Sequence, residues 1–564
     1  MEDAATARNA EEGGSRRGPA QWHRRWTEGI GVAAMAALFL VNVLAGASFK
    51  SMVADEPVHL LYGRLFLAHH LEKIRGLTDG KGAVPALAAL AVDAGRRIEG
   101  GEGKVDELFW GRLPTAGFGV ALLLALWGLA RWLAGREAGL VAAWFAAWSP
   151  NLVAHSKWIT FDIAATLGFV LGVFAIVAYL AKPGLWKGAA VCAALGTAQL
   201  AKVSNLSLFA LFALFVASSL AWRLVRGAPR RAVLLDAGRH LAVLAASGVF
   251  TVALLNTVYS SWGRWQPLAA AQQAAATEDG APTPATSGPA ATVPLPLPPD
   301  YVYELVAGMA HNRRGHWAYF HGAHSMKGWL MYFPAALLLK TTLPLLLLFG
   351  LALFVRVKGW MRPGARDAAV AAAAALYLAY FMVAIHVDIG VRYVLPVYAL
   401  GLALAATAIA AARGRRRRLV LWAVLLLGGW QAVESAMVFP HHLSYFNELA
   451  GGPAGGWRWL NDSNVSWGQD AYYLESWMRE QREPVKLNPR RPTPGLIVMD
   501  VNDLTGLTED DARRSAWLRD NYTPVGYVTP ALAIFRVPAD ARFRALLERW
   551  GSGGGAAARQ PSMR

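Results

Sequence analysis

Ile30–Phe49 (IGVAAMAALFLVNVLAGASF) carries no charged residue, and shortly beyond it the chain reads Asp55-Glu56-Pro57-Val58-His59. About 20 apolar residues are enough for a helix to cross the hydrocarbon core of a bilayer. The two adjacent carboxylates then stand in water just outside the membrane, tethered by the helix before them. A carboxylate so placed can take a proton from a hydroxyl nucleophile while the other reactant stays anchored in lipid. Taken alone, the pair reads equally as two solvated loop acids. Upstream, Arg16, Arg17, Arg24 and Arg25 lead into the apolar run, and Ala45-Gly46-Ala47 has the small-residue pattern of a signal-peptide cleavage site. The expectation is an uncleaved anchor, because cleavage would free the acidic loop from its tether.

The composition supports a membrane reading. Of 564 residues 55% are hydrophobic and 16% charged, with a mean hydropathy of +0.31. That is too apolar for a soluble enzyme and points to a polytopic α-helical membrane protein. The net charge of +17 lies in short clusters between apolar runs, which argues for membrane orientation and against a nucleic-acid partner. The single cysteine, Cys192, excludes an internal disulfide.

Hydropathy predicts about eleven transmembrane helices within 30–439. After Ile30–Phe49 they are Gly117–Leu133, Ala138–Trp148, Ile163–Ala181, Gly188–Gln199, Leu206–Leu224, Leu241–Tyr259, Thr341–Val355, Ala368–Ile385, Tyr393–Ala412 and Leu419–Phe439. The first outer loop, 51–112, holds two amphipathic stretches, Val58–Ile74 and Val84–Ile98, expected as interfacial helices. A second long loop, 260–328, includes an Ala/Pro/Thr-rich linker, Ala274–Pro299, expected to be disordered. Alternate connections are basic, among them Arg131 with Arg136, Lys182 with Lys187, and Arg413 with Arg415–Arg418. The positive-inside rule makes these and the 1–29 segment cytoplasmic. An odd number of spans puts everything after Phe439 on the outer side. There, 440–550 is expected to form a small extracytoplasmic α/β domain. Its helices are Ala471–Arg482 and Glu509–Asp520, and its strands Gly495–Val501, Val525–Val528 and Ala531–Val537. Residues 551–564 read as a disordered tail.

This topology collects a set of polar residues on the outer face: Asp55, Glu56 and Arg112, then His155, Lys157 and Asp162, then Lys202, Lys340, Arg392 and Tyr393. Asp162 and Lys202 fall beside unusually short apolar runs, and ionisable groups at membrane depth are costly enough to suggest function. Each also has an ordinary explanation, Asp162 as the N-cap of the next helix and Lys202 as a snorkelling lysine. Together they supply a carboxylate base for an acceptor and cations for a phosphate leaving group. Paired cysteines, an HExxH helix, a phosphate-binding loop and a dinucleotide fingerprint are all missing. No metalloprotease, ATPase or dehydrogenase is indicated. The many histidines have no metal-ligand spacing.

With those residues in order, the chain resembles the GT-C glycosyltransferases that use polyprenyl-phosphate sugars. The resemblance is to the protein O-mannosyltransferase and aminoarabinose-transferase-like group, the phospholipid-carrier-dependent glycosyltransferases. The matching residues are Asp55-Glu56, Gly111-Arg112-Leu113-Pro114, Ser149-Pro150 with Asp162, Tyr332-Phe333-Pro334 with Lys340-Thr341, and Ile389 to Pro396. Leu443 to Glu448, Asp462-Ser463-Asn464 and Trp467-Gly468-Gln469-Asp470 complete the set. One departure is that Thr342-Leu343-Pro344 follows Lys340-Thr341, where the pattern has proline directly after Lys-Thr.

The resemblance implies a GT-C-like fold and an inverting transferase of the bacterial inner membrane. Its donor would be a polyprenyl-phosphate-linked sugar and its acceptor a protein or lipid hydroxyl on the outer face. Asp55 would be the general base, Glu56 its orienting partner and Asp162 a second acid of the cleft. Lys202 and Arg392 would hold the donor phosphate, with Arg112 a further candidate, and His155, Lys340 and Tyr393 would line the cleft. The chemistry requires no cofactor, and no motif calls for a divalent metal. Three other accounts stay open: a lipid-linked-sugar transporter or flippase, a non-catalytic scaffold of the same architecture, and a transferase with a pyrophosphate donor. A transporter predicts twofold repetition between halves, and none is visible in the sequence.

Overall fold

The first apolar run and the loop behind it set the frame. In the computed structural model, which describes residues 19–71, 82–99, 106–279, 289–361, 364–411 and 415–550, helix α1 spans Pro19–Ser48. The acidic pair opens α2 (Glu56–Leu67). α2 packs on α3 (Val84–Glu99), and α3 on α4 (Glu107–Ala134). The two amphipathic stretches are thus helices, and the end of the first, 72–74, lies outside the described residues. Both acidic and basic groups tie them to α4, with Glu107 bonded by Arg64 and Arg96.

α4 turns into α5 (Arg136–Ala147) at Gly135, whose φ of +91° needs a residue without a Cβ. Ser149 then caps the short α6 (Pro150–His155) by accepting from Leu152 N, with Pro150 in the first turn. The bundle continues through α7 (Asp162–Ala181), α8 (Leu185–Gln199), α9 (Ser207–Val225) and α10 (Arg230–Val258). Beyond the second long loop, α13 (Tyr332–Lys340) and α14 (Leu343–Val357) meet at a bend of 109°. α15 (Ala365–Ala384), α16 (Leu395–Ala406) and α17 (Arg415–Met437) complete the membrane part. Of the candidate spans the one that includes α16 is the most deeply buried, and α16 is packed on by α4, α5, α7, α14 and α15.

Among the described residues eight helices are long and apolar enough to cross a membrane, or up to nine if the bent pair α13–α14 is one span. The chain is an integral, multi-pass membrane protein. The expected count of eleven is not reached, because α5 and α8 have only 12 and 15 residues. At 1.5 Å per residue they are about 18 and 22 Å long, against a hydrocarbon core of about 30 Å. Three basic connections meet at the end of the bundle where α1 begins. Arg131 and Arg136 bond Glu28, Arg417 bonds Glu137, and Arg366 lies over Trp132. Arg416 stacks on Trp360 there too.

The second long loop differs from its expected form. Its linker begins inside a helix, α11 (Leu268–Asp279), which packs on α12 (Pro299–Arg314). Alanines at helical spacing, Ala271 and Ala275, give α11 its buried side. Residues 280–288 lie outside the described residues, as do 1–18 of the basic arm and the 551–564 tail. A hairpin, β1 (Ala318–Phe320) with β2 (Ala323–Ser325), follows α12.

After α17 the chain crosses the end of the bundle in short turns and enters a four-stranded sheet of order β3-β4-β6-β5. Its strands are β3 (Val485–Leu487), β4 (Gly495–Asp500), β5 (Gly526–Thr529) and β6 (Leu532–Val537). Four helices accompany them: α18 (Ala471–Glu480), α19 (Val501–Thr505), α20 (Glu509–Arg519) and α21 (Ala541–Arg549). β3 runs parallel to β4 and the other pairs are antiparallel. Ile497, Met499, Phe535 and Trp517 join one continuous apolar core with the bundle.

Candidate active site

The cavity is built where the starts of α2 and α7, the turn between α8 and α9 and the turn before α16 meet. Asp55 stands at the N-cap position of α2 yet makes no capping hydrogen bond. Asp162 is the first residue of α7, Phe161 takes the cap position, and here too no side chain caps the helix. Both carboxylates are therefore left for other partners. Lys202 is an extended residue before the turn Val203–Leu206 that joins α8 to α9. Arg392 sits in the turn Val391–Val394 that opens α16.

These four side chains converge. Arg392 Nη1 lies 3.2 Å from Asp55 Oδ2 and 4.0 Å from Asp162 Oδ2. Lys202 Nζ lies 3.1 Å from Asp162 Oδ1. Aromatic faces cover the cations: Lys202 is 4.9 Å from the Phe161 ring centroid and 4.7 Å from that of Tyr393. The Arg392 guanidinium lies 4.6 Å from the Trp467 ring. Such faces favour a cation removed from water. Asp162 Oδ2 and Arg392 Nε are buried without a hydrogen bond, and buried polar atoms rarely stay unpaired. A bound ligand with both a donor and an anionic acceptor would complete them.

Asp55, Asp162, Lys202, Arg392 and Tyr393 all line one cavity of about 880 Å³. From this charged end it runs over α7 between α9 and α15, lined by Leu211, Leu214, Leu376, Tyr377 and Tyr380. Leu214, Leu376 and Tyr380 are 47%, 41% and 48% exposed, so the apolar arm opens sideways out of the bundle. His311, Asn312 and His316 of the second long loop line the cavity as well. Burial holds the His316 imidazole down at about 4, with the neighbouring His311 and Arg392 charges adding to it. It is neutral at ordinary pH.

Four expected site residues are placed elsewhere. Glu56 and Arg112 are brought together, but into the protein. Arg112 Nε and Nη2 each donate to a Glu56 oxygen at 2.7 Å. Its remaining donors go to the carbonyls of Ala47, Lys50 and Ser51. Glu56 also accepts from Val53 N and Ile159 N. Arg112 has no donor left for a phosphate, and Glu56 no lone pair facing the cavity. The pair pins the loop that carries Asp55.

Lys340 ends α13 instead of starting a helix, and its Nζ donates to the Leu443 and Asn464 carbonyls at 2.6 Å. His155 is buried beside Trp467, edge to face at 6.0 Å between centroids. Burial there holds its imidazole at about 3, although Asp162 pulls the other way. Neither residue lines the cavity. Lys157 is buried too, bonding the Pro440 carbonyl and His442 Nδ1.

The late motifs hold the Arg392 turn. Asn464 Oδ1 accepts from Val391 N, Asn464 Nδ2 donates to Tyr332 Oη, and Ser463 Oγ donates to the Ile389 carbonyl. A Cβ on Gly390 would meet Ser463 Oγ at 2.3 Å, so only glycine admits this approach. Phe161, His311 and Asn312 were not anticipated as cavity residues. The only sequence signal for them is their position beside Asp162 and in the second long loop.

Among the described residues no group of three or more His, Cys, Asp or Glu side chains is placed to hold a metal ion. No protein-family model matches the chain, and no curated protein matches it in sequence. Among solved structures it is similar to ArnT from Cupriavidus metallidurans bound to undecaprenyl phosphate, with a TM-score of 0.46 and 12% identity over 89% of this chain and 97% of that one. It is similar to the Archaeoglobus fulgidus oligosaccharyltransferase, with a TM-score of 0.47 and 14% identity over 82% of this chain and 59% of that one. For the S. cerevisiae protein O-mannosyltransferase Pmt1-Pmt2 complex bound to the sugar donor, the TM-score is 0.34 and the identity 18%. That match covers 43% of this chain and only 36% of the other. These likenesses are all under 25% identity and under a TM-score of 0.5, and they transfer the role of no residue to this chain.

Proposed function

We propose that this protein is a membrane glycosyltransferase that moves a sugar from a polyprenyl-phosphate carrier to an acceptor hydroxyl. The observation that carries the reading is the shape and chemistry of this cavity. Its charged end holds two carboxylates and two cations, and its other arm is apolar and open to the side. A lipid phosphate has that same division: a long apolar tail, one anionic group and a polar head.

Arg392 and Lys202 hold the phosphate, the former through a planar fork of donors suited to its oxygens. Asp162 Oδ2 receives a hydroxyl or amino group of the sugar. Asp55, the more exposed acid at 36%, takes the proton of the acceptor hydroxyl as that oxygen attacks the anomeric carbon. The carbon–phosphate-oxygen bond breaks on the opposite side, so the configuration inverts, and the carrier phosphate leaves against the two cations. Tyr393 shields Lys202 from water. The reading asks for no metal or cofactor. Its acceptor is a protein or lipid, and no nucleic acid takes part.

The acidic loop, the cavity mouth and the α/β unit share one end of the bundle, opposite the basic connections. With those connections cytoplasmic, this end faces outward, as in a bacterial inner membrane. The test is to incubate the purified full-length protein with radiolabelled polyprenyl-phosphate sugars and hydroxyl acceptors. Transfer that Asp55→Asn abolishes is expected. Movement of the intact lipid-linked sugar across vesicles, without transfer, would replace this reading with the transporter.

A further inference from the structure

Trp467-Gly468-Gln469-Asp470 has no part in the chemistry proposed above, yet it runs directly behind it. Ala54 N donates to the Trp467 carbonyl at 2.9 Å, and Ser51 N to the Gln469 carbonyl at 3.1 Å. Ser51 Oγ donates to the Gly468 carbonyl at 3.0 Å and accepts from Ala471 N at 3.1 Å. The loop that ends at Asp55 is thus laced to residues 467–471 up to the residue before the acid. The same Trp467 lays its ring on the Arg392 guanidinium, and only 8% of Trp467 is exposed.

The other side of this segment is fixed to the sheet. Ser466 Oγ donates to Asp500 Oδ2 at 2.7 Å, and Asn502 Nδ2 to the Ser466 carbonyl at 2.9 Å. Thr529 Oγ1 donates to Asp470 Oδ2 at 2.6 Å, while the other Asp470 oxygen is bound by the buried Lys50. Asp55 and Arg392 lie 337 residues apart in sequence. One short segment touches the chain at Ala54, next to Asp55, and at Arg392.

We infer that Trp467 is a positioning residue, and that residues 466–471 form a strut through which the C-terminal α/β unit sets Asp55 and Arg392 relative to each other. The inference rests on the assignment of Arg392 to the donor phosphate. A guanidinium binds phosphate directionally, through a flat fork whose plane must be held. Arg392 Nε makes no hydrogen bond; its plane is held by the Nη1 contact with Asp55, the Tyr393 ring at 5.5 Å and, nearest of the two rings, the Trp467 indole at 4.6 Å. Loss of the indole face leaves the charge but loosens its orientation.

The experiment measures binding of sugar-free polyprenyl phosphate to the full-length protein in detergent, alongside its thermal unfolding. It compares Trp467→Leu, Trp467→Phe and Arg392→Gln. A cation over a desolvated ring is worth a factor of about 5 to 30 in an equilibrium constant. Trp467→Leu should weaken binding by that factor and raise the donor KM with it. Trp467→Phe, which keeps an aromatic face, should stay within about threefold of wild type. Trp467→Met, which fills volume without a π-face, carries the same arm should Trp467→Leu not fold.

A tryptophan that only fills space would lower the unfolding temperature and leave the affinity of the folded protein unchanged. That result for Trp467→Leu, with Arg392→Gln losing binding, overturns the inference. Unchanged binding by Arg392→Gln overturns the phosphate assignment itself, and the strut's proposed purpose falls with it.

Discussion

Asp55→Asn separates the roles of base and ion-pair partner, because the two affect different measurements. Asparagine keeps the shape of the side chain and removes both the proton acceptor and the negative charge. Loss of a positioned general base lowers turnover by about 10²- to 10⁴-fold. The charge acts on a different quantity. Asp55 Oδ2 sits 3.2 Å from Arg392 Nη1, with 36% of the aspartate and 13% of the arginine side chain exposed. A lipid phosphate must share that guanidinium, so the carboxylate competes with it. At this exposure the pair is screened and worth about 0.2–1 kcal/mol. Removing it should therefore tighten sugar-free polyprenyl phosphate binding modestly, by no more than about fivefold. The assay pairs initial transfer rates at saturating donor with equilibrium binding of the lipid phosphate in detergent. Lower turnover with equal or tighter binding is the expected signature. A folded variant that transfers at near the wild-type rate would remove Asp55 from the chemistry. A parallel fall of binding and turnover would reduce it to a strut for Arg392.

Glu56→Gln strikes the buried partner of Arg112 instead, and breaking such a pair costs about 3–5 kcal/mol; it should lower the unfolding temperature, with the lipid-phosphate affinity of the surviving folded fraction near wild type. Acid should also destabilise the fold through His155 and His316, which sit in the folded protein at about 3 and about 4. An unfolded histidine titrates near 6.5, so as pH falls the unfolded chain takes up the proton first. Their contribution is complete above that value and is lost as pH falls from there toward 4, by about 1.4 kcal/mol per pH unit for each. Thermal scans across this range should show a shallower slope for His155→Phe, and an unchanged slope would refute the assignment. Topology is tested by replacing Cys192 with Ala and placing single cysteines at residue 284 or residue 414 in intact cells. The first should react with an impermeant thiol reagent and the second should not; equal labelling would sink the outward placement of the cavity.

The parts that sequence made legible are those set by local pattern. Apolar runs marked the spanning helices, and Gly495–Asp500 and Leu532–Val537 appear as strands because short apolar runs between turn residues leave few alternatives. Asp55, Asp162, Lys202, Arg392 and Tyr393, all named from the sequence, line one cavity. What could not be read was the direction in which each side chain points. Asp55 and Glu56 are neighbours at a helix start, and successive helical positions lie about 100° apart, so one acid faces the cavity while the other faces Arg112. The eleven expected spans are not all matched by helices of spanning length among the described residues, for a related reason. Hydropathy sees that α5 is apolar, but its length is set by the break at Trp148 and Ser149, where Ser149 caps a new helix. β3, a three-residue strand paired with β4, carries too short a pattern to be seen.

Unsatisfied backbone links the motifs to one another in space. A 109° bend between α13 and α14 strips the helical partners from nearby carbonyls, and such groups must find donors when buried. Asn447 Nδ2 donates to the Leu338 and Thr341 carbonyls, Asn151 Nδ2 to that of Lys340, and Asn447 N to that of Leu339. Lys340 returns the exchange by donating to the Leu443 and Asn464 carbonyls. Asn464 in turn fixes the Arg392 turn through Val391 N. Residues read at first as separate signatures are thus successive links in one hydrogen-bonded path from the α13–α14 break to the guanidinium in the cavity. Apolar substitution at Asn447 would leave the buried Leu338 and Thr341 carbonyls unpaired, and at Asn464 the Val391 N–H and the Asn461 carbonyl. Conservative replacement there should accordingly damage the site through the backbone, whereas replacement of Asp55 acts through the proton.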